Sequence, residues 1–192
     1  MKFTKIALAA SLIAGASFAN AGDIKYGLQL GSSKGGDNLV AENNSETLAI
    51  GAGDGTLIGL YLAGSLNDDG FGYKVAINNL EDSLDGSQGK IKFSRLPIDL
   101  LLSQKVGKLL LNGGITYHIN TKFKITADDG VFSVEAKNAL GIVLEANYQV
   151  YSNDSLAMDL GLRYTNIEYE FKNEDSTKAD GSSIAFVAGL SF

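Results

Sequence analysis

The sequence predicts an all-β chain: an eight-stranded antiparallel up-and-down transmembrane β-barrel. Two observations carry this. Apolar and polar residues alternate with period two over segments longer than the roughly 5–6 residues of an ordinary globular strand. The connections between these segments sort into short turns on one side and longer loops on the other, as in membrane-spanning barrels. Composition agrees: among 192 residues there are 23 Gly, one Pro, eight Tyr and nine Phe, which suits a wall standing between lipid and a polar interior.

Residues 1–21 read as a cleaved secretory signal peptide. Lys2 and Lys5 supply the positive start, and Ala19-Asn20-Ala21 fits the small-x-small cleavage rule. The apolar stretch between them is far shorter than the roughly 20 residues a spanning helix needs. Residues 22–192 are then a single barrel domain, more acidic than the whole chain because Lys2 and Lys5 are lost.

The strands follow in order. Ile24, Tyr26, Leu28 and Leu30 alternate with Lys25, Gly27, Gln29 and Gly31. Ile58, Leu60 and Leu62 alternate with Gly59, Tyr61 and Ala63, and Phe71, Tyr73, Val75 and Ile77 with Gly72, Lys74, Ala76 and Asn78. In the fourth strand Leu96, Ile98, Leu100 and Leu102 face away from Arg95, Pro97, Asp99 and Ser103, with Leu101 interrupting the polar side. The fifth is the longest: Leu109, Leu111, Ile115, Tyr117, Ile119, Phe123 and Ile125 oppose Asn112, Thr116, His118, Asn120, Lys122 and Lys124. Phe132, Val134, Leu140, Ile142, Leu144 and Tyr148 oppose Glu135, Lys137, Glu145 and Asn147, and Met158, Leu160, Leu162 and Tyr164 oppose Asp159, Gly161 and Arg163. The last strand sets Ile184, Phe186, Ala188, Leu190 and Phe192 against Ser183, Ala185, Val187, Gly189 and Ser191. Residues 47–52 make a ninth, weaker candidate. A barrel with both chain ends on one side needs an even number of spanning strands, so this segment is assigned to the first long loop or to an extension above the membrane.

Short connections are expected at residues 67–70, 106–107 and 152–155, and long ones at 32–55, 81–89, 127–130 and 173–182. Alternation alone also fits a soluble periplasmic barrel that binds ligand inside its apolar face. Two features favour the membrane reading: no bulky apolar core is evident away from the strands, and the strands end in aromatic residues. Tyr148, Phe71 and Phe192 near the short turns, with Tyr164, Phe93, Phe123 and Phe132 near the long loops, read as two lipid-facing girdles.

At these residues the chain resembles the eight-stranded outer-membrane barrels of the OmpA barrel-domain, OmpX and OmpW type. The resemblance spans residues 22–192. It is carried by Leu96-Pro97-Ile98-Asp99-Leu100, Gly113-Gly114-Ile115-Thr116-Tyr117, Gly161-Leu162-Arg163-Tyr164 and Gly189-Leu190-Ser191-Phe192. It implies a monomer in the outer membrane of a Gram-negative envelope, with membrane lipids and lipopolysaccharide around it. It also implies handling by periplasmic chaperones and the barrel-assembly machinery. Phe186, Leu190 and Phe192 match the terminal assembly signal, while Val187 stands where that signal often has glycine. The peptidoglycan-binding domain that follows the barrel in full OmpA-type proteins is not expected, since the sequence stops at Phe192.

An eight-stranded barrel is just wide enough for side chains to fill it, and charges buried there must pair. A two-residue turn at Val106-Gly107 would set Arg95 opposite His118 and Asp99 opposite Gly114. A three-residue turn at 153–155 sets Glu145 opposite Arg163 and Gln149 opposite Asp159. A third loop centred between Asp128 and Asp129 sets Lys122 opposite Glu135. The expected lumen network is therefore Arg95, Asp99, His118, Glu145, Asp159 and Arg163, closing the barrel; a narrow path for ions or small apolar molecules is the alternative.

Enzymatic, metal-binding and cofactor functions are not expected. The chain has a single His and no Cys, whereas a metal centre needs several such ligands and a hydrolase needs a nucleophile beside its base. Where outer-membrane lipid A deacylases carry His-x-Ser, this chain has His118-Ile119-Asn120. The Asp-Gly pairs, such as Asp69-Gly70 and Asp129-Gly130, lack calcium-loop spacing and sit where turns are needed. The acidic loop residues Asp82, Asp85, Asp128, Asp129, Glu174 and Asp175 read as solvated. Net charge of −6 excludes nucleic acid as the expected partner.

Overall fold

The computed structural model describes residues 24–43, 46–87, 89–127, 130–153, 155–172 and 177–192. The signal-peptide segment and the loop acids Asp128, Asp129, Glu174 and Asp175 lie outside the described residues. Every regular element among them is a strand: β1 (Lys25–Lys34), β2 (Asn38–Asn43), β3 (Glu46–Gly51), β4 (Gly55–Ser65), β5 (Phe71–Asp85), β6 (Gly89–Val106), β7 (Leu109–Ala127), β8 (Gly130–Glu135), β9 (Ala139–Ser152), β10 (Ala157–Asn166), β11 (Glu168–Glu170), β12 (Lys178–Asp180) and β13 (Ser183–Ser191).

Antiparallel pairing runs β6-β5-β4-β1-β13-β10-β9-β7, and the β6–β7 pair closes the ring. Eight staves result, because β8 continues the β9 stave beyond a break at residues 136–138 and pairs with the same β7. The ring is sealed between first and last staves by reciprocal backbone bonds, Phe192 N–H to Tyr26 O at 2.8 Å and Tyr26 N–H to Phe192 O at 3.3 Å. No sheet edge is left along the barrel wall, which is what a bilayer demands of a strand-built span.

The apolar face points out. Leu28, Leu30, Leu60, Leu100, Ile115, Leu140, Ile142, Leu144, Leu160, Leu162 and Ile184 are all exposed, with Leu140 at 65 % and Phe186 at 75 %. Their strand neighbours Gln29, Asn78, Asp99, Asn112, Thr116, Glu145, Asn147 and Arg163 are buried. A soluble barrel would have the opposite polarity, so the outward belt faces hydrocarbon and the barrel is transmembrane.

Two register details differ from expectation. The β6–β7 turn is Gly107-Lys108, with Val106 paired to Leu109. Gly107 has φ +61° at the first central position, which glycine adopts freely and a β-branched valine does not. Asp99 consequently faces Thr116 rather than Gly114, and Pro97 rather than Arg95 faces His118. Higher up, Ser94 pairs with Lys122 while Leu96 pairs with Ile119. Arg95 thus opposes both Asn120 and Thr121, a β-bulge in which Asn120 takes φ +54°.

The extra residue reverses the faces of β7 beyond it. Below the bulge Asn112, Thr116 and His118 point inward; above it Thr121 and Phe123 do, and Lys124 turns out. Phe93 also lies inside, because β6 keeps odd positions inward from Ile91 to Ser103. Phe93 and Phe123 therefore do not belong to a lipid girdle. They belong to an apolar cluster at the long-loop end with Ile50, Ala52, Ile91, Ile167, Tyr169 and Phe171. This core was not evident in the sequence because its members come from segments far apart in the chain, around residues 50, 91, 123 and 169.

Residues 47–52 are not a wall strand. β3 pairs only with β2, and this hairpin delivers Ile50 and Ala52 into the cluster. The second long loop is shorter than expected, since β5 and β6 stay paired up to Asp85 and Lys90. Glu135 and Lys137, expected to line the lumen, are exposed and pair with Lys172 at 3.4 Å and Glu170 at 2.5 Å. Lys25 is exposed as well, at the opposite rim.

Candidate functional site

Alternation aims polar side chains from most staves at one level of the lumen, and there they form a charge-balanced cross-brace. Arg163 on β10 donates from Nη1 to Asp99 Oδ2 (2.7 Å) and from Nη2 to Asp99 Oδ1 (3.0 Å), a bidentate pair across the barrel. The same Nη1 reaches Glu145 Oε1 at 2.8 Å. Lys74 on β5 donates to Glu145 Oε2 at 2.9 Å. Amides complete the carboxylates: Asn78 donates to Asp99 Oδ2 at 2.9 Å, and Asn112 to Glu145 Oε2 at 3.2 Å. Gln29 in turn donates to Asn78 Oδ1 at 2.5 Å.

Two cations meet two anions, and every carboxylate oxygen has a donor. That is the condition under which buried charge is tolerated, since an unpaired ion in such a place costs several kcal/mol. Room for these side chains comes partly from small partners in the register. Asn78 faces Gly59, Asn147 faces Gly161 and Asp159 faces Gly189, and a Cβ on Gly59 or Gly161 would run into the facing asparagine.

Of the residues singled out from the sequence, Asp99, Glu145 and Arg163 come together. The Arg163–Glu145, Asp159–Gln149 and Lys122–Glu135 pairings occur in the expected registers. Asp159 reaches its partner through a shift between Met158 and Asp159. It stands apart from the brace, half-buried in a cavity at the short-turn end. Arg95 and His118 are likewise separate from it. The Arg95 guanidinium donates to the backbone carbonyls of Ala52 and Asp54 and lies 4.3 Å from the Phe93 ring centroid. His118 Nδ1 is 2.7 Å from the Tyr169 hydroxyl, and Tyr169 packs edge-on against Phe93 at 5.5 Å. The bulge at Asn120 breaks the alternation just where these residues sit, so they serve the mouth rather than the brace.

The brace residues that sequence reasoning left out are Lys74, Asn78, Asn112 and Gln29. All stand at inward parity, which was the available signal; only the three-dimensional register shows that they reach the carboxylates. Phe186 and Phe192 lie on the lipid face, with Phe192 58 % exposed, and Leu190 is half-buried on the same face. Among the described residues no group of three His, Asp or Glu side chains could hold a metal ion.

The lumen thus has two closures, the brace at mid-height and the β2–β3 hairpin locked by Arg95 at the long-loop end. A cavity between them, bounded by His118, Arg163, Thr165 and Tyr169, is about 10 Å3. A cavity needs roughly 10–15 Å3 to hold one water.

No protein-family model matches the sequence, and no curated protein matches it. Solved structures do. The solid-state NMR structure of the outer membrane protein AlkL in DMPC bilayers superposes with a TM-score of 0.54 at 11 % identity, covering 90 % of this chain and 91 % of AlkL. The crystal structure of Neisserial surface protein A, NspA, gives 0.51 at 11 % identity, covering 90 % and 97 %. This chain has the fold of the small eight-stranded outer-membrane barrels. Ail of Yersinia pestis, solved with the heparin analogue sucrose octasulfate, aligns over 88 % of this chain and 96 % of its own at 14 % identity, with a TM-score of 0.49. At these identities the likeness speaks for the architecture alone.

Proposed function

We propose that this barrel resides in the outer membrane of a Gram-negative envelope as a closed structural or interaction protein, not as a channel. The observation that carries the reading is the pair of closures, the Arg163 brace and the hairpin held by Arg95, with a cavity of only about 10 Å3 between them, about the room of one water. In this reading the short turns face the periplasm and the long loops face outward, among lipopolysaccharide. Assembly passes through periplasmic chaperones and the barrel-assembly machinery, with Phe186, Leu190 and Phe192 as the terminal signal. The barrel works as a monomer, its wall being closed on itself. No catalytic role is assigned, because His118 and the Tyr169 hydroxyl that engages its ring are both sealed inside the barrel.

The test is single-channel recording of the refolded protein in planar bilayers, alongside outer-membrane fractionation with heat-modifiable gel mobility. A silent bilayer and a heat-modifiable outer-membrane band are expected. Steady steps of porin size would overturn the closed reading, and recovery in the periplasmic extract would overturn the location.

A further inference from the structure

Below the brace the lumen opens into a cavity of about 340 Å3 at the short-turn end, within the range of small-molecule sites. Its charged lining is unlike the rest of the chain. Lys25, Lys74, Lys105 and Lys108 contribute to it against a single carboxylate, Asp159, in a protein whose net charge is −6. Lys74 is already committed to Glu145. The other three lysines stand at exposed rim positions against that one carboxylate in the lining, which makes the vestibule basic.

Tyr61 adds a ring face at the wall, with the Lys74 ammonium 4.9 Å from its centroid.

We propose that this vestibule binds a small soluble dianion, a phosphate monoester. The phosphate would sit among Lys25, Lys105 and Lys108. A phospholipid headgroup offers similar chemistry, but the cavity lies on the lumen axis behind a hydrogen-bonded wall whose outer face is apolar. The ligand therefore arrives from water.

The experiment is an NMR titration of the refolded barrel in phosphatidylcholine nanodiscs with glycerol 3-phosphate, with glycerol as the neutral control. Saturable shifts confined to the vestibule, and none with glycerol, are expected. The Lys105→Gln/Lys108→Gln double variant, at exposed rim positions, should bind about tenfold more weakly, while Lys34→Gln at the far end should bind as the wild type does. If the double variant fails to insert, Lys25→Gln alone should weaken binding about threefold. Unsaturable shifts, equal response to glycerol, or undiminished binding by the rim variants would overturn the assignment. Shifts produced by adding phosphatidylglycerol to the disc, and not displaced by glycerol 3-phosphate, would assign the site to lipid instead.

Discussion

Arg163 grips Asp99 through both terminal guanidinium nitrogens, at 2.7 and 3.0 Å, across a lumen that separates residues 64 positions apart in the chain. One of those nitrogens also serves Glu145, so a single cation ties β10 to β6 and β9. Bridging by one guanidinium makes the barrel interior a unit rather than a set of independent pairs.

Removing that cation should be among the most damaging substitutions in the wall. Arg163→Met would leave Asp99 and Glu145 with only Lys74 and amide donors, at a cost of about 3–5 kcal/mol. Urea unfolding from lipid vesicles measures it. Combining Arg163→Met with Asp99→Leu should recover part of the loss, because the orphaned carboxylate is then gone; a strictly additive double variant would contradict a coupled brace.

The outer plug has a separate lock. Arg95→Ala removes the charged donor from the carbonyls of Ala52 and Asp54. Hydrogen bonds to charged groups contribute about 1.5–3 kcal/mol, so amide exchange in the β2–β3 hairpin should accelerate roughly tenfold or more. The bilayer recording should stay silent in this variant, since the Arg163 brace is untouched.

Asn120 allows the faces of β7 to switch. Its φ of +54° is accessible to asparagine and easy for glycine, but costs a β-branched residue about 1–2 kcal/mol. Asn120→Gly should therefore be close to neutral and Asn120→Val destabilising by that amount, read from the same urea transition.

Above the membrane the β9 stave is tied to β11 by Lys137 and Glu170, whose side chains meet at 2.5 Å beside the backbone bond from Lys137 N–H to the Glu170 carbonyl at 2.8 Å. The hydrogen bond from Lys137 holds the Glu170 carboxyl below its ordinary range. A depressed carboxyl contributes above its unfolded value, roughly 4.3, and loses that contribution as pH falls through the folded value. Exchange at the Lys137 amide, corrected for intrinsic chemistry, should rise as pH drops below about 4. Lys137→Gln should abolish that pH dependence.

Much of the barrel was legible because each strand speaks for itself. Leu28 and Leu30 against Gln29, or Leu160 and Leu162 against Arg163, declare their faces without knowing their neighbours. The mouth was not legible in this way. Phe93 and Phe123 read as membrane aromatics, yet the cluster that buries them requires Ile50 from a loop hairpin and Tyr169 from the last outer extension. Nor does spacing say that Lys74, 71 residues from Glu145, is the lysine that reaches it.

The order of the chain by itself determined the eight alternating staves and the shared inward parity of Asp99, Glu145 and Arg163, because period-two geometry is local. Tertiary structure alone decided which charges meet, where the bulge reverses β7, and that the first loop folds back to cap the lumen. Those outcomes depend on register and ring closure, where one inserted residue at Asn120 moves every side chain beyond it to the other face.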